Sequence, residues 1–418
     1  MEHKKLDKQA RRILRGNDRG GYTVPTEGLY PYQWNWDSGF AAWGFSTFDI
    51  KRAWFEIQTL FHGQWDSGMV PHIIFHKRAD GYFPGPDVWG VERIPHTSGI
   101  TQPPVITTFA RHIYEQDKEY GRVHIELLYG RLVAWHRWFM KYRVEDGMVA
   151  ITHPWESGRD NAADWDQALA NVDGSTVGAY ERADTHHVNP DMRPSKLDYD
   201  RYLAILQYGR ECGWDEAKIA EGGPFRVADI GMTFIFLRAC RDLLAIAAEL
   251  DHITAEIRGW IAQLEAGVAR HWNDEAGYYD SIDLRTGQHS GQLSSVAFLS
   301  WYAGMRDDRM LGPLKQVMDQ VAFSVPSNDP AAASFDPLRY WRGPIWGVVN
   351  TLICLGLAEA GHIELAERIR RDTRKLIAEH GFYEYFNPVD GTPAGGDAFS
   401  WTAAIWLTWA SPSARGRL

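Results

Sequence analysis

The chain has 418 residues, of which 44% are hydrophobic and 23% are charged, so it can form a sizeable core and remain in solution. Its net charge of −10 argues against nucleic acid and against an anionic membrane surface, since both require clustered Lys and Arg. The first residues are charged and amphipathic, which does not fit a secretory signal, and no apolar run approaches the roughly 18 residues of a membrane-spanning helix. We therefore expect a cytoplasmic protein without nucleic-acid or membrane partners.

Aromatic residues are unusually abundant and often stand in predicted turns. The chain has 19 Trp, 18 Tyr and 18 Phe, or 13% aromatic residues. Aromatic rings stack on the C–H faces of sugars, and Tyr and Trp add a polar edge, so this composition favours sugar binding. Packing of large side chains between the helices of a big helical enzyme explains it equally well, and composition alone leaves both interpretations open.

Apolar residues recur at helical spacing along most of the chain. In 48–61, for example, Trp54, Ile57 and Leu60 fall on one face. Segment 232–248 is apolar on nearly all sides, which predicts a helix buried against two neighbours. Besides an N-terminal helix, the predicted helices cover 48–61, 104–117, 119–143, 164–172, 196–212, 227–250, 252–272, 291–304, 310–322, 343–360, 362–379 and 397–410.

One local pattern recurs four times, in 65–73, 144–154, 273–283 and 378–388. A helix ends in polar residues, a Gly follows, and a short alternating segment comes next, which predicts a left-handed Gly that ends the helix and then a strand. Helix pairs that repeat with such turns, each followed by a short strand, predict an all-α (α/α)6 barrel with short strands and long loops over one face.

No linker or charge block divides the chain, so we expect one domain over residues 1–418. The segment 78–104 is rich in Pro and aromatic residues, and we interpret it as a loop that covers a site.

Two acidic segments fit the chemistry of a glycoside hydrolase. Such an enzyme needs one protonated carboxylic acid and one carboxylate in partly apolar surroundings. The sequence "HPWESGRDN" supplies Glu156 or Asp160, and "GFYEYFNP" supplies Glu384. These acids are more than 200 residues apart, so they meet only if the ring of helices closes.

Each acid also has an ordinary structural explanation. Asp160 could cap the next helix, Glu156 could pair with a basic residue such as Arg159, and Glu384 could be an exposed acid on an edge strand. Asp37 could likewise cap a helix that begins at Ser38. The three cysteines and the His pairs lack the spacing of a metal site, "GTPAGG" lacks the Lys of a phosphate loop, and no GxSxG occurs, so we expect no metal or cofactor.

Four segments together resemble glycoside hydrolase family 63 and its trehalase-like relatives, from about residue 28 to 404. "ESGRD" (156–160) is similar to the family segment that ends in the general acid, and "YEYFNP" (383–388) with "FSWTAA" (399–404) to the segment with the general base. "QWNWDSGF" (33–40) and "YWRGPIWGVVN" (340–350) resemble its sugar-binding walls.

The resemblance implies an inverting α-glycosidase on an (α/α)6 barrel, with Asp160 as general acid and Glu384 as general base. Among family members the chain is most similar to bacterial mannosylglycerate and glucosylglycerate hydrolases. In that subgroup an Arg and a Tyr bind the carboxylate of glycerate, and Arg193 and Tyr199 occupy the matching positions. The residues expected to bind substrate are Tyr30, Trp34, Trp36, Asp37, Gln102, Trp155, Glu156, Arg193, Tyr199, Tyr340, Trp341 and Trp346.

Other functions stay open at this point. The segment 227–236 lacks the polar pattern of the relatives, so a neutral glycoside such as glucosylglycerol or a disaccharide is an alternative substrate. A sugar epimerase-isomerase would need His residues at the ring centre as acid and base. A non-catalytic sugar-binding protein would present the same aromatic walls. The sequence leaves glucose or mannose as the sugar, and the oligomeric state, undetermined.

Overall fold

The computed structural model describes residues 2–79, 81–182 and 184–414. Helices make up most of this part of the chain. They are α1 Glu2–Asn17, α2 Asn35–Ser46, α3 Ile50–His62, α4 Pro86–Trp89, α5 Val105–Gln116, α6 Lys118–Tyr142, α7 Asp166–Ala170, α8 Asp184–His187, α9 Lys196–Glu211, α10 Glu216–Gly222, α11 Ile230–Glu249, α12 Ala255–Val268, α13 Leu311–Asp319, α14 Gly347–Glu359, α15 Ile363–His380 and α16 Ser400–Ile405.

Most predicted helices are confirmed to within a few residues, but the one predicted over 291–304 is wrong. Only a 3₁₀ helix, Ser295–Ser300, forms there. Backbone groups that a longer helix would use pair with another segment instead, since the Ser295 N–H donates to the Ser327 carbonyl and the Asp329 N–H to the Leu293 carbonyl. The sequence did not show these partners.

The helices that form the core pack side by side in a continuous series. Helix α2 packs against α5 and α16, α5 packs against α11, and α11 and α14 both contact the Ser295–Ser300 helix. Helix α14 also packs against α16, so the series returns to its start. Outer partners lie beside these helices, with α3 against α2, α6 against α5, α12 against α11, α15 against α14 and α1 against α16.

Burial follows this arrangement. All twelve residues of α2 are buried, which explains why its sequence has no amphipathic period and why it was not predicted as a helix beginning at residue 35. The prediction that 232–248 is buried against two neighbours is confirmed, because α11 packs between α5 and α12.

The strands are short and several lead directly into inner helices. They are β1 Gln33–Trp34, β2 Ile73–Phe75, β3 His96–Thr97, β4 Val144–Glu145, β5 Met148–Ile151, β6 Val227–Ala228, β7 Trp272–Asn273, β8 Tyr278–Tyr279, β9 Ile282–Asp283, β10 Gln288–His289, β11 Tyr385–Phe386 and β12 Pro393–Ala394. The largest sheet is antiparallel in the order β10-β9-β6-β5-β4. Since β1 precedes α2 and β6 precedes α11, these strands lie at the N-terminal ends of inner helices.

The four glycines of the recurring pattern all have positive φ, but only one ends a helix. Gly381 is the C-cap of α15, with φ 94°. Gly147 instead lies in the turn between β4 and β5, where Asp146 and Gly147 have φ of 52° and 82°, as a two-residue type I′ hairpin turn requires. Among the described residues, no helix has the length and apolar character needed to span a membrane.

Candidate active site

One cavity lies where the N-terminal ends of several inner helices meet. It encloses about 870 Å³ of space, including its open mouth. Its walls come from the start of α2, the residues before α5 and α14, and the start of α16. Segments between these helices complete it, including the loop 78–104 that the sequence analysis expected to cover a site.

The structure brings eleven of the predicted site residues to this one cavity, although they come from segments scattered over more than 350 positions. They are Tyr30, Trp34, Trp36, Asp37, Gln102, Trp155, Asp160, Arg193, Tyr199, Tyr340 and Glu384.

Three predicted substrate-binding residues do not line the cavity. Glu156 is fully buried beneath it, where Arg143 lies 2.8 Å from its carboxylate and the Thr152 N–H donates to it at 2.8 Å. Its partner is therefore Arg143 and not Arg159. Trp341 and Trp346 stack on each other at 3.8 Å with their rings 3° from parallel, behind the wall that Tyr340 forms. These three side chains support the cavity from behind.

Several lining residues were missed by the sequence analysis. Those with polar or aromatic side chains are His72, Tyr82, Phe83, Asp184, Phe399 and Trp401. Tyr82 and Phe83 belong to the loop 78–104, so the signal for them was present in its Pro-rich, aromatic composition. Asp184 had no such signal, because it stands in an ordinary polar segment and reaches the cavity through its pairing with Arg193.

Asp160 lies in a turn and does not cap a helix. Gly158, with φ 70°, ends the 3₁₀ helix Pro154–Ser157 and turns the chain towards the cavity. The main-chain carbonyl of Asp160 accepts a hydrogen bond from the Tyr202 hydroxyl at 2.8 Å. The next residues to form a helix, Ala163–Trp165, have Ala162 at their N-cap. The cap interpretation of Asp160 is therefore wrong, and its carboxyl faces the cavity.

The environment of Asp160 favours its protonated form. Burial raises the pKa of Asp160 to about 7, and the neighbouring Glu384 carboxylate adds to the rise while the Arg193 charge opposes it. Just before it in the chain, Arg159 is fixed by ion pairs to Asp164 and Asp229 at 3.2 and 3.0 Å. Asp160 can thus hold a proton near neutral pH, as a general acid must.

Glu384 is buried and not an exposed edge acid, since only 2% of it is accessible. Its carboxylate accepts hydrogen bonds from the Tyr30 hydroxyl at 3.0 Å and the Gly396 N–H at 3.1 Å. Burial raises the pKa of Glu384, whereas the Arg193 charge and these two donors oppose the rise. Donors of this kind stabilise the ionised form, which a base needs.

Arg193 stands between several carboxyl groups and aromatic rings. Its Nε donates to Asp184 at 3.0 Å, and its guanidinium lies 4.1 Å from the centre of the Tyr340 ring. Its Nη1 lies 3.7 Å from Glu384 and, among the described residues, has no hydrogen-bond partner although it is buried. A buried donor without a partner is costly, which indicates that a ligand satisfies it.

Asp37 lies in the first turn of α2, because that helix begins at Asn35 and not at Ser38. The alternative interpretation of Asp37 as a helix cap is therefore wrong. Burial, together with the nearby Glu384 carboxylate, raises the pKa of Asp37 well above its usual range. At the same helix end, the Trp36 N–H donates to the Gln102 side chain at 3.2 Å, which holds Gln102 at the cavity wall.

Comparison with known proteins assigns the family. The model of the mannosylglycerate hydrolase MGH1-like glycoside hydrolase domain matches residues 30–402. The chain belongs to this family. It is 44% identical over 412 residues to mannosylglycerate hydrolase MGH1 of Selaginella moellendorffii, covering 96% of this chain and 84% of that protein. It is 44% identical to a mannosylglycerate hydrolase of Thermus thermophilus, with 95% and 98% covered.

A glucosylglycerate hydrolase of Mycolicibacterium hassiacum is more distant, at 33% identity with 97% of both chains covered. Among solved structures, the GH63 mannosylglycerate hydrolase from Thermus thermophilus in complex with Tris and D-glycerate superposes with a TM-score of 0.94 at 43% identity. That match covers 97% of this chain and 99% of the other. This MGH1-like chain therefore has a helix-rich GH63 fold and is a glycosidase, and the predicted resemblance is confirmed.

Proposed function

We propose that this glycosidase hydrolyses an α-glycoside of D-glycerate, α-mannosylglycerate or α-glucosylglycerate, to the sugar and D-glycerate. The observation that carries the proposal is the buried Nη1 of Arg193, which has no hydrogen-bond partner among the described residues and lies in the cavity that also holds Asp160 and Glu384. A guanidinium fork suits a carboxylate, and the Tyr199 hydroxyl can add a further bond. The higher identity to the mannosylglycerate hydrolases favours mannose as the sugar.

The mechanism is a single displacement with inversion. Asp160 donates its proton to the glycosidic oxygen as the bond from that oxygen to the anomeric carbon breaks. A water molecule forms the new bond from the opposite face and gives its proton to Glu384. Such a mechanism requires the two carboxyl groups to stand roughly 6.5–9.5 Å apart, which leaves room for the water. The raised pKa of Asp160 and the donors around Glu384 support this division of roles.

The remaining cavity residues bind the substrate. Trp34, Trp36, Trp155 and Tyr340 offer rings to the sugar faces, while Tyr30, Asp37 and Gln102 offer hydrogen bonds to hydroxyl groups. Burial of the cavity strengthens each of these polar contacts. The proposed displacement uses only the side chains of this cavity and a water molecule.

We also propose that the protein is a single (α/α)6 barrel and that it is cytoplasmic. The closed series of inner helices with outer partners supports an (α/α)6 barrel that forms one domain over the whole chain. The aromatic side chains of the loop 78–104 at the cavity support its role as a cover that excludes water. The charge of −10 and the free cysteines support a cytoplasmic location.

An epimerase-isomerase is less well supported by these residues. His72 is the only histidine among the described residues that line the cavity, and burial lowers its pKa well below the usual range. It is therefore a poor acid at neutral pH.

The decisive experiment is proton NMR of hydrolysis that resolves the anomers. Wild type and Asp160→Asn are offered α-mannosylglycerate, α-glucosylglycerate, glucosylglycerol and trehalose. We expect release of β-sugar by wild type from a glycerate substrate and a loss of at least about 10²-fold in the variant, the lower range for a positioned acid. Turnover of neutral glycosides alone contradicts the glycerate proposal, and undiminished activity of Asp160→Asn contradicts the acid assignment.

A further inference from the structure

Arg193 lies where it can bind the carboxylate of the leaving glycerate and also influence the protonation of Asp160. Arg193 is 5% exposed, is held by Asp184 on one side and lies 3.7 Å from Glu384 on the other. Asp160 lines the same cavity, so an anion that binds this Nη1, which has no hydrogen-bond partner in the described part of the chain, adds a negative charge to the cavity that holds both catalytic carboxyl groups.

We infer that the carboxylate of glycerate, when it binds Arg193, keeps Asp160 protonated and so takes part in catalysis as well as in recognition. This inference rests on the proposed function. It extends that function because the charge of the leaving group then affects the rate of turnover. If the charge served recognition alone, it would affect only the affinity for the substrate.

The surroundings of Arg193 explain why its charge is felt at Asp160. In the free protein Arg193 opposes the rise of both catalytic pKa values, Asp160 and Glu384. An anion paired with Arg193 offsets that influence, since charges at short range in a poorly solvated site interact strongly. The pKa of Asp160, about 7 in the free protein, then rises, and the acid stays protonated at neutral pH.

Asp184 and the tyrosines around Arg193 do not change their protonation near neutral pH, so Glu384 is the other carboxyl group that can respond to an anion at Arg193. The pKa of Asp184 is about 2, because the charges of Arg193 and Arg182 outweigh its burial. The Arg182 guanidinium lies 4.2 Å from the centre of the Tyr199 ring. The hydroxyls facing Arg193 are those of Tyr30, Tyr199, Tyr340 and Tyr385, whose pKa values are all raised by burial.

The experiment is calorimetry of D-glycerate binding to the wild-type protein at pH 7, in two buffers of different ionisation enthalpy. Glycerate itself is fully ionised, with a pKa of about 3.5 for an α-carboxyl. We expect binding to take up a measurable fraction of a proton, because burial raises the pKa of Asp160 to about 7, near the pH of the experiment. The uptake should disappear in Asp160→Asn and persist in Asp166→Asn, whose carboxylate pairs with Arg342 outside the cavity. The neutral analogue D-glyceramide should bind without proton uptake.

The outcomes separate the two proposals. Binding of D-glycerate without proton uptake, or equal uptake with D-glyceramide, overturns the inference and leaves the glycerate pocket intact. No binding of D-glycerate to the wild type at millimolar concentration overturns the glycerate pocket itself, and the inference with it. Uptake that persists unchanged in Asp160→Asn assigns the proton to another group and also overturns the inference.

Discussion

The Asp160 carboxyl group is buried in a site that favours its protonated form and that destabilises the folded protein when the group is ionised. Asp160 has a pKa of about 7 in the folded protein against about 3.9 for an unperturbed Asp. The folded state therefore binds more protons than the unfolded state between these values, and stability falls as pH rises through that window. Above pH 7 the cost of the ionised side chain is fully present.

Replacement of Asp160 by Asn should accordingly stabilise the protein at high pH. We expect Asp160→Asn to raise the free energy of unfolding at pH 8 by about 1–3 kcal/mol and to change it much less at pH 4. Urea unfolding at the two pH values measures this, with Asp336→Asn as a half-exposed control. A variant that is equally stable or less stable at pH 8 would show that the environment of Asp160 does not disfavour its charge.

Tyr30 tunes the second carboxyl group. Its hydroxyl donates to Glu384 at 3.0 Å, which opposes the rise in the pKa of that carboxyl. In Tyr30→Phe the pKa of Glu384 should rise by about one unit, because a hydrogen bond to a charged group is worth about 1.5–3 kcal/mol. In the proposed mechanism Glu384 must be ionised to act as base, so kcat/KM should fall about tenfold at the acidic end of the profile and less at pH 8.

The control is Tyr22→Phe, since Tyr22 stacks on His76 at 4.0 Å and does not line the cavity. A uniform fall at every pH in Tyr30→Phe would mean that Tyr30 acts on the sugar and not on Glu384.

The types and order of the residues predicted most of the site. They did not show which side chains line the cavity and which lie behind its wall. "ESGRD" contains two acids, and the sequence favoured both as site residues. What separates them is Arg143, which stands 13 positions before Glu156 and binds its carboxylate in the interior. Such a pair depends on how β5 and the end of α6 meet, which no local pattern encodes.

At the scale of elements, this buried pair joins the helix α6 to the 3₁₀ helix that precedes Asp160. Arg143 is also bonded to Glu216 at the start of α10, so one buried cation holds three segments. Glu156→Gln should lower the free energy of unfolding by about 2–4 kcal/mol, since it leaves part of a buried charge uncompensated. The KM of the glycoside should stay nearly unchanged, because Glu156 does not touch the cavity.

Thermal or denaturant unfolding measures the loss, and Glu256→Gln provides the matched control. Glu256 pairs with Arg137 on the exposed surface, where an ion pair contributes at most about 1 kcal/mol. If Glu156→Gln raised KM strongly without a loss of stability, the original expectation that Glu156 binds substrate would be restored.

Elements with a periodic exterior were predictable, and so was the long apolar helix α11, but the short, wholly buried α2 was not listed among the predicted helices. Amphipathic α3 and α5 match their predicted ranges closely. Helix α2 entered the sequence analysis only as a helix beginning at Ser38 that Asp37 could cap, because burial of its whole surface removes the amphipathic period that marks a helix. The prediction of a helix over 291–304 was wrong because the backbone of this segment forms hydrogen bonds with residues some 30 positions away.

At the scale of the molecule, the cavity exists because the two ends of the chain meet. Helix α1 packs against α16, and Asn17 at the end of α1 donates from Nδ2 to the Ala398 carbonyl at 3.0 Å and to the Ser400 hydroxyl at 2.9 Å. Ser400 in turn donates to the Val24 carbonyl at 2.7 Å. These bonds join positions more than 370 residues apart, next to the lining residues at the start of α16.

Asn17→Ala should therefore weaken the contact between α1 and α16, which joins the two ends of the chain. We expect the free energy of unfolding to fall by about 1–3 kcal/mol, since the Ser400 hydroxyl and the Ala398 carbonyl lose a buried partner. The kcat of the folded enzyme should change little, because Asn17 does not line the cavity. Asn171→Ala is the matched control, as its side-chain amide donates to the Gln167 carbonyl on the exposed surface. Equal unfolding midpoints for the two variants would mean that the junction between the chain ends contributes no net stability, and closure would then depend on the packing of α1 against α16 alone.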